Sequence, residues 1–381
     1  MKIGIDARWI FPETSGITTY TRELIRELAR RDTRNEYVLF FNNAGMEEVT
    51  RRYAELSMRP NFRTHRLSYG VFSPRGQVHL PFLLRALDIR VFHSPNYMIP
   101  FLAFSRGDRG RVRCVVTIHD LIPLLFPEFT PKARKTRCLP LFRRIMKESV
   151  ARADAVLTVS EWSRKDVVKE FRISELHAAD VIAIPNGVSE DYKPADRRGG
   201  GAKTLLYVGR FDPYKNLAGL MEIFARVRAA CPDEVRLRVV GAPDARYPEA
   251  MQKARELALE PWITWSGYCA GADLVRAYQE ADVFVLPSRY EGFGLTVLEA
   301  MACGTPVVCS NRSSLPEVAG DAARMADPDD SDGFARAIAE VLKDGRVAAE
   351  LRDKGLRQAA KFTWARTAEL TLEAYEQAAA R

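Results

Sequence analysis

Two glutamates eight positions apart stand in the stretch SRYEGFGLTVLEAMACGTPVV (288–308). Glu291 precedes a turn that contains Gly292 and Gly294, and Glu299 falls about one turn inside the predicted helix that follows. Glycines at a helix start let the backbone approach a ligand closely and leave N–H groups that attract phosphate. A carboxylate there would repel phosphate, so each glutamate should accept hydrogen bonds from sugar hydroxyls, with ribose a good candidate for Glu299. The structural alternative makes Glu291 a solvated turn residue and Glu299 an acid that favours a helix N-terminus.

A second loop with suitable chemistry is YVGRFDPYKN (207–216), directly after a predicted strand. Gly209 permits a tight turn, and Arg210 and Lys215 bring two cations to the carboxyl end of that strand, ahead of the next helix. Two cations and the free N–H groups of a helix start would together hold a diphosphate. The loop is not a Walker loop, because GxxxxGK[ST] does not occur. A solvated loop that merely contains Arg and Lys is the alternative.

A third candidate lies in VVTIHDLIPLLFPEF (115–129), where His119 and Asp120 end a predicted strand. A lone histidine is commonly a structural residue with satisfied hydrogen bonds. At the carboxyl end of a strand and beside an acid, His119 is favoured as a site residue, with Asp120 on the acceptor side.

Short β-rich runs alternate with helical patterns and supply the elements that must position these loops. Continuous apolar strands separated by helices predict parallel sheets covered on both faces. The stretch 184–203, rich in Gly, Pro and charge, predicts a linker. We therefore expect two Rossmann-like domains, residues 1–186 and 187–363, with a ligand cleft between them. The predicted strands are the runs at 2–7, 36–41, 90–94, 111–118, 154–160, 204–209, 235–241, 262–267, 282–288 and 305–310.

Composition limits the class of protein. A chain of 381 residues, 47% hydrophobic and 28% charged, suits two globular domains. The N-terminus has no signal-peptide pattern, and no uncharged apolar stretch is long enough to span a bilayer. Six cysteines form no CxxC motif and no metal-ligand cluster, which is typical of free thiols in a reducing compartment. We predict a cytoplasmic protein, with the inner face of the cytoplasmic membrane as a further location to consider.

The charge is uneven. Residues 1–186 contain 31 basic and 20 acidic side chains, whereas the remainder contains 26 and 29. A basic half suits an anionic partner, such as a membrane, a nucleic acid or a phosphorylated acceptor, although a solvated basic face would look the same. The segment 130–152 combines eight basic residues with the single acid Glu148 and interleaved apolar residues. It predicts an amphipathic helix that either lies on an anionic bilayer or packs its apolar side into the domain core.

These segments together resemble the retaining, nucleotide-sugar-dependent glycosyltransferases of family 4, which have the GT-B fold. The matching segments are EGFGLTVLEAMACGTPVV, YVGRFDPYKN, the linker IPNGV and SNRSSLPEVAG (310–320). The resemblance covers nearly the whole chain. It implies two Rossmann-like domains whose parallel sheets face each other across a cleft. The first domain would bind the acceptor and the second the nucleotide sugar, with a C-terminal helix at about 364–381 packing back on the first.

The resemblance also implies roles for individual residues. Arg210 and Lys215 would hold the diphosphate and Glu299 the ribose, while His119 would contact the donor sugar near the reaction centre. Glu291 would bind the donor sugar and phosphate. Relatives often show two adjacent glycines where this chain has Ser15-Gly16. The other implied donor-binding positions are Gly16, Gly209, Gly241, Ser266, Gly267, Gly292, Phe293, Gly294 and Leu295.

The expected chemistry is mainly electrostatic, because breaking a sugar–phosphate bond leaves negative charge on the departing diphosphate. By resemblance the anomeric configuration is retained, and same-face attack is favoured because no side chain is an obvious covalent nucleophile. We expect no metal and no other cofactor, since no DxD motif or His/Asp cluster is positioned to hold one. The segment IHDLIPLLFPE (118–128) most resembles mannosyltransferases that build bacterial surface polysaccharides from GDP-mannose. This resemblance implies a glycan or lipid-linked acceptor.

Several other functions fit less well. A UDP- or ADP-sugar-dependent transferase of the same fold is the nearest alternative. A sugar phosphorylase would need orthophosphate and a bound pyridoxal cofactor. A polyanion-binding module lacks support, since no aromatic platform or nucleic-acid motif accompanies the basic charge, and no nucleic-acid partner is expected. A glycosidase would not need a diphosphate site, and a nicotinamide dehydrogenase would need GxGxxG after a strand, which is absent.

Overall fold

The computed structural model divides the chain into two compact α/β units. Unit 1 comprises Met1–Leu121, Cys138–Gly187 and Trp364–Arg381, and unit 2 comprises Ile122–Arg137 and Val188–Thr363. The predicted first domain, 1–186, differs in one segment, because 122–137 groups with unit 2. Part of the predicted linker, 196–200, lies outside the described residues. The structure describes residues 1–13, 15–106, 110–132, 134–174, 180–195, 201–231 and 234–380, without the side chains of Arg134 and Lys135.

In the described part of unit 1, seven parallel strands form one sheet in the order β3-β2-β1-β4-β5-β6-β7. Apolar side chains at helical spacing on the first helix, Tyr20, Leu24, Ile25 and Leu28, are buried against this sheet's core as the spacing predicts. The strands are β1 Lys2–Ile5, β2 Glu36–Phe41, β3 Phe62–Arg66, β4 Val91–Ser94, β5 Arg113–Ile118, β6 Ala155–Thr158 and β7 Val181–Ala183. The α-helices up to β7 are α1 Gly16–Arg31, α2 Ala44–Tyr53, α3 Pro74–Ala86, α4 Ile122–Leu125, α5 Arg134–Arg137, α6 Leu139–Arg152 and α7 Glu161–Glu170; α4 and α5 belong to unit 2.

Unit 2 has a parallel sheet of six strands in its described part, in the order β10-β9-β8-β11-β12-β13. The central neighbours β8 and β11 lead into the two loops that the sequence singles out. The strands are β8 Lys203–Val208, β9 Val235–Val240, β10 Ile263–Trp265, β11 Val283–Leu286, β12 Val307–Ser310 and β13 Ala323–Ala326. The helices after β7 are α8 Leu217–Ala230, α9 Glu249–Glu256, α10 Ala272–Glu280, α11 Leu295–Ala302, α12 Leu315–Ala319, α13 Ser331–Lys343, α14 Gly345–Ala359 and α15 Trp364–Ala380, the last of which belongs to unit 1.

The C-terminal helix α15 is joined to the sheet of unit 1 through a buried polar chain. The Tyr375 hydroxyl lies 2.6 Å from His93 Nδ1, and His93 Nε2 lies 2.8 Å from the Thr117 hydroxyl. Thr117 in turn lies 3.0 Å from the hydroxyl of Tyr20 on α1. Burial, with a smaller contribution from the charge of His119, lowers the pKa of His93 to about 3, so its ring is neutral and can accept as well as donate.

The basic segment 130–152 is not one helix. It is split into α5, in unit 2, and α6, in unit 1, and Pro140 lies in the first turn of α6, where proline suits a helix start. Three apolar residues of α6, Phe142, Met146 and Val150, are buried, which favours the packing alternative, whereas Leu141 is 59% exposed. The predicted basic residues Arg134 and Lys135 have side chains outside the described part.

The hydrogen bond from the C-terminal helix gives a stability prediction. Tyr375→Phe leaves the buried His93 Nδ1 without this partner, so the free energy of unfolding should fall by about 1–3 kcal/mol. Urea unfolding measures this, with Tyr268→Phe as the control because Tyr268 is 56% exposed. Equal midpoints for both variants and the unmodified chain would contradict the bond's importance.

Candidate functional site

A buried ion pair connects the two loops of unit 2 that the sequence selects. Lys215 Nζ lies 2.7 Å from Glu291 Oε1 and 2.9 Å from Oε2, and the two side chains are 14% and 9% exposed. Burial lowers the pKa of Lys215, but the charge of Glu291, the Tyr214 hydroxyl and the hydrogen bond to Glu291 together outweigh burial, so the pKa is raised. Lys215 is therefore a fixed cation near the sheet edge.

Strand order brings this pair together. Strands β8 and β11 are parallel neighbours, so the loops that leave their carboxyl ends meet at the same edge of the sheet. After β8 the chain makes a short turn, Pro213–Lys215, and then Asn216 adopts a left-handed conformation (φ 56°) at the start of α8. The Asn216 side chain donates to the carbonyl of Pro328 at 2.9 Å and so fixes the turn that carries Lys215.

Arg210 lies in the same loop but is more open to solvent. Its side chain is 69% exposed, and its Nε donates to Asp212 Oδ2 at 2.6 Å. The Tyr207 hydroxyl donates to the Arg210 carbonyl at 2.8 Å, which holds the loop backbone. Burial raises the pKa of Tyr214 to about 12, and the charges of Lys215 and Arg210 oppose that rise, so both cations lie within electrostatic range of Tyr214.

The glycine-containing loop after Glu291 is held by two serines that follow β12. Ser313 Oγ accepts from Glu291 N at 2.8 Å, and Ser314 Oγ lies 2.9 Å from the carbonyl oxygens of Glu291 and Phe293. Gly294 has φ 100°, and a Cβ there would come within 2.6 Å of Leu315 Cδ2, so only glycine fits. Helix α11 begins directly afterwards at Leu295, and Phe293 turns its ring edge-on to Phe362, at 6.0 Å between centroids.

An aromatic cluster supports both loops from within unit 2. Tyr214 and Tyr290, which precede Lys215 and Glu291 in the chain, pack with Ile122 of α4. Phe126 lies against Tyr290, with ring centroids 5.3 Å apart, and stacks on Phe129 at 5.3 Å. The segment that follows the predicted His119 site is thus part of the packing around the ion pair.

Glu299 has different surroundings from Glu291. It is 7% exposed, accepts from the Tyr278 hydroxyl at 2.7 Å, and is also hydrogen-bonded by Tyr192. Burial raises the pKa of Glu299 to about 7, and the two tyrosine hydroxyls only partly counter that effect. Near neutral pH this group therefore exists in both protonation states, which either accept or donate a hydrogen bond to a hydroxyl.

Three of the predicted donor-binding positions are hydrogen-bonded across neighbouring strand ends. Gly209 N donates to the Val240 carbonyl at 3.0 Å, and Gly241 N donates to the Gly267 carbonyl at 2.7 Å. A Cβ on Gly241 would lie 2.0 Å from the Gly209 carbonyl oxygen, so any larger residue would force the strands apart. Ser266 Oγ accepts from Arg238 Nε at 3.2 Å and lies at the exit of β10.

The predicted site residues of unit 1 occupy the ends of its strands and the start of α1. His119 Nε2 donates to the Pro95 carbonyl at 2.9 Å, and its ring meets Tyr20 edge-on with centroids 4.9 Å apart. Asp120 follows it and is half-buried, while Gly16 begins α1 with open space where a Cβ would lie. Their roles toward a donor or acceptor stay predictions.

Within the described ranges, no group of three or more His, Cys, Asp or Glu side chains is arranged to hold a metal ion. The acids of the run Asp327-Pro-Asp329 are instead ion-paired: Asp327 with Arg312, and Asp329 with Arg289 and Arg312. Across the same described residues, no helix combines the length and apolar character that crossing a membrane requires.

Comparison with known proteins identifies the family. The family model "Glycosyltransferase Family 4" matches residues 14–192, and "Glycosyl transferases group 1" matches 188–361. The chain is 30% identical to O-antigen chain mannosyltransferase B of Escherichia coli over 95% of this chain and 96% of that protein. The chain belongs to the family-4 glycosyltransferases. This glycosyltransferase is also 30% identical to serotype-specific mannosyltransferase WbdA of Escherichia coli. That match covers 74% of this chain and 35% of the relative.

A solved structure shows the same fold. Sucrose-phosphate synthase from Thermosynechococcus elongatus matches with a TM-score of 0.73 over 99% of this chain and 98% of that one, at 21% identity. With two parallel-sheet α/β units, the glycosyltransferase has the predicted GT-B fold.

Sequence reasoning missed the residues that hold the charged groups in place: Asp212, Asn216, Ser313, Ser314, Tyr278 and Tyr192. Ser313 and Ser314 lie in the family-like stretch 310–320, but an uncharged pair suggests no role by itself. The signal that could have found them is strand order, because β12 neighbours β11 and its exit loop must meet Glu291.

Lys215→Ala should abolish sugar transfer by the glycosyltransferase and lower its free energy of unfolding by about 3 kcal/mol, because a buried carboxylate loses its partner. The double variant Lys215→Ala/Glu291→Ala should recover part of that stability without recovering activity. The matched control is Lys203→Ala, since Lys203 pairs with Asp282 at the opposite end of β8. Near-normal transfer by Lys215→Ala would refute its assignment to the site.

Glu299→Gln should change how stability depends on pH. The folded-state pKa of about 7 lies above the ordinary 4.5. Between these pH values the carboxyl group ionises in the unfolded chain but stays mostly protonated in the folded enzyme, so the free energy of unfolding falls as the pH rises. Glutamine stays neutral, so the stability of the variant relative to the unmodified enzyme should rise by up to roughly 3 kcal/mol from pH 5 to pH 8.

Urea unfolding at both pH values measures this difference, with Glu249→Gln, an exposed residue on α9, as the control. A difference for Glu299→Gln that does not change with pH would show that the carboxyl group is not perturbed.

Proposed function

We propose that the protein is a retaining hexosyltransferase that moves mannose from GDP-mannose to a glycan or lipid-linked acceptor in surface polysaccharide biosynthesis. The observation that carries the proposal is the buried Lys215–Glu291 pair at the adjacent ends of β8 and β11. The choice of mannose is supported by the likeness to O-antigen chain mannosyltransferase B along nearly the whole chain.

The diphosphate would be bound by Lys215 and Arg210. An ammonium group has three N–H donors, and Glu291 accepts from Lys215 through both of its oxygens. A remaining donor can meet a phosphate oxygen while Glu291 fixes the direction of the side chain. Arg210, anchored on Asp212 and exposed, adds a second cation for the charge that develops on the leaving group.

The reaction proceeds by same-face attack of an acceptor hydroxyl on the anomeric carbon. The bond between that carbon and the phosphate oxygen breaks, the new glycosidic bond forms, and the leaving phosphate oxygen takes the acceptor's proton. Glu299 binds the ribose hydroxyls, and Glu291 with the backbone of 292–295 binds the donor sugar. The two cations supply the charge stabilisation that a metal provides in other enzymes, so we propose metal-independent transfer.

Contact with an anionic membrane through 130–152 belongs to the proposal in a narrower form than the sequence alone indicates. Phe142, Met146 and Val150 of α6 are buried and only Leu141, at 59%, is a strongly exposed apolar residue among those described in this helix, so the exposed Arg143, Arg144 and Lys147 would make most of the contact. One of these, Arg143, is ion-paired with Glu170. Any contribution from α6 would therefore be mainly electrostatic and weakened by salt.

A ligand screen followed by a transfer assay tests the proposed function. Thermal unfolding of the full chain should shift upward with GDP and GDP-mannose more than with UDP, ADP or their sugars, because ligands that bind the folded state stabilise it. With GDP-mannose and a mannose-terminated oligosaccharide, NMR should detect an α-linked product, and a chelator should leave the rate unchanged. If only UDP or only ADP raised the unfolding temperature, that nucleotide and not GDP would be the donor nucleotide. A β-linked product would contradict retention of the anomeric configuration.

A further inference from the structure

The 327–330 turn, with the sequence Asp-Pro-Asp-Asp, lies at the exit of the edge strand β13 of unit 2. The Asp330 N–H donates to the Asp327 carbonyl at 3.0 Å, which closes the turn. Proline suits the second position of such a turn and aspartate the first, where its Oδ1 accepts from Asp329 N at 2.9 Å. The local sequence therefore determines how the chain leaves the sheet.

The 327–330 turn is bonded to a loop that leaves a distant strand. Strand β13 is three positions from β8 in the sheet, which is roughly 14 Å at about 4.8 Å between neighbouring strands. Nevertheless, the Pro328 carbonyl accepts a hydrogen bond at 2.9 Å from Asn216, in the loop after β8. The turn and this loop therefore meet over the exits of β11 and β12, the two strands that lie between them.

Two arginines from these intervening exits hold the 327–330 turn. Arg289, after β11, donates from Nε to Asp329 Oδ1 at 2.9 Å. Arg312, after β12, contacts both aspartates: its Nη2 lies 2.7 Å from Asp327 Oδ1, and its Nη1 lies 2.7 Å from Asp329 Oδ2. A planar guanidinium group, with donors on several nitrogens, suits such a bridge better than the single charged nitrogen of a lysine. Arg312 thus fixes the turn in place.

The loop that carries Arg312 also bonds to Glu291. The next residue, Ser313, has a left-handed backbone (φ 54°), and its hydroxyl donates to the Arg312 carbonyl at 2.7 Å. The same hydroxyl oxygen accepts from the Glu291 N–H at 2.8 Å. A left-handed conformation is unfavourable for serine, so it persists only where neighbouring contacts enforce it. The ion pairs of Arg312 supply such contacts beside the bond to Glu291.

Both sides of the buried ion pair thus depend on the 327–330 turn. On one side, Pro328 accepts from Asn216, the residue directly after Lys215. On the other side, Arg312 anchors the loop that bonds to the Glu291 N–H. The side chains that bind the turn are two arginines paired with two aspartates, so together they add no net charge beside the donor loops. Their influence on the ion pair is therefore through position.

We propose that Arg312 is a positioning residue for sugar transfer, which holds the 327–330 turn and through it directs Lys215 and Glu291. The proposal rests on the proposed transferase function, because the direction of Lys215 matters for transfer only if Lys215 binds the leaving diphosphate. A displaced lysine still attracts an anion, but its hydrogen bond no longer points to the oxygen that gains charge in the transition state. Loss of Arg312 should therefore lower kcat more than it weakens binding of the donor.

The alternative is that these ion pairs only stabilise unit 2. Their side chains are 33% to 48% exposed, and ion pairs this open to water contribute little to the free energy of unfolding. A large effect on transfer together with a small effect on stability thus distinguishes positioning from general stabilisation.

Three variants of the full chain test the role of Arg312. Arg312→Gln removes the charge and the bridge, and Arg312→Lys keeps the charge without the planar bridge. The matched control is Arg324→Gln, because Arg324 lies on β13 itself and pairs with Glu340 at 2.9 Å. That pair is 34% and 45% exposed, and Arg312 and Asp327 are 39% and 45% exposed. Urea unfolding midpoints should therefore change equally little in the two glutamine variants.

Amide hydrogen exchange of the ligand-free chain, followed by mass spectrometry, measures the position of the loops without a substrate. Arg312→Gln should raise the exchange rates of peptides that contain Lys215 and Glu291 several-fold, because the turn that holds both loops is released. Arg324→Gln should leave these peptides unchanged, and Arg312→Lys should give intermediate rates. Unchanged exchange in Arg312→Gln would overturn the positioning role.

Transfer kinetics with GDP-mannose and a mannose-terminated oligosaccharide measure the consequence for the reaction. Arg312→Gln should lower kcat by about tenfold to a hundredfold and raise the KM for the donor by less than about threefold. Arg312→Lys should recover part of kcat. A kcat for Arg312→Gln equal to that of Arg324→Gln would overturn the proposal, and so would a fall in its urea midpoint well beyond that of the control, which would indicate general stabilisation.

The outcomes separate this inference from the proposed function. If no nucleotide sugar supports transfer by the unmodified chain, the proposed function fails, and the exchange data still decide whether Arg312 positions Lys215 and Glu291. If another nucleotide sugar replaces GDP-mannose in the ligand screen, the same kinetic comparison is made with that donor. If the unmodified chain and Arg312→Gln transfer sugar equally well, the proposed function stands and this inference fails.

Discussion

A lysine and a glutamate that are both withdrawn from water impose the main constraint on unit 2. Each charge is tolerable only because the other is within hydrogen-bonding distance, since an unpartnered buried ion costs several kcal/mol by rough measure. The pair therefore requires two loops to be held to within a fraction of an ångström. Asn216 holds one of them, Ser313 and Ser314 hold the other, and the aromatic cluster around Phe126 and the two tyrosines packs beneath both.

Glu291 and Glu299 show how different surroundings give the same type of side chain different properties. Glu291 neutralises and directs a cation, and it is satisfied by a full positive charge. Among the described residues, the partners of the Glu299 carboxyl group are the hydroxyls of Tyr278 and Tyr192, which counter burial only in part, and burial raises the pKa of Glu299 to about 7. A group that can donate or accept near neutral pH suits hydroxyl recognition, whereas one locked to a lysine suits an environment of high charge.

Most strands could be predicted from continuous runs of apolar residues, because the central strands of a parallel sheet are buried on both faces. The strands that the sequence reading missed, β3, β7 and β13, all lie at sheet edges. The segment FRTHR, which forms β3, buries only Phe62, so it lacks the continuous apolar run that marks a central strand. Lys215 and Glu291 could be selected from the sequence as candidate site residues because charged side chains at the exits of buried strands are unusual. Their pairing with each other and the serines' backbone contacts depend on strand order, which spacing along the chain does not encode.

The grouping of Ile122–Arg137 with unit 2 has a consequence for exchanging halves between relatives. A chimera made with a single junction near residue 187 would combine one protein's segment 122–137 with another protein's Tyr214 and Tyr290. The aromatic cluster would then be assembled from sequences that did not evolve together, directly beneath the ion pair. Recombination that respects the packing needs three junctions, near 121, 137 and 187, besides the one before the C-terminal helix at Trp364. The segments that must be exchanged together to preserve the packing around Lys215 are therefore separated in the sequence, as Ile122–Arg137 and Val188–Thr363.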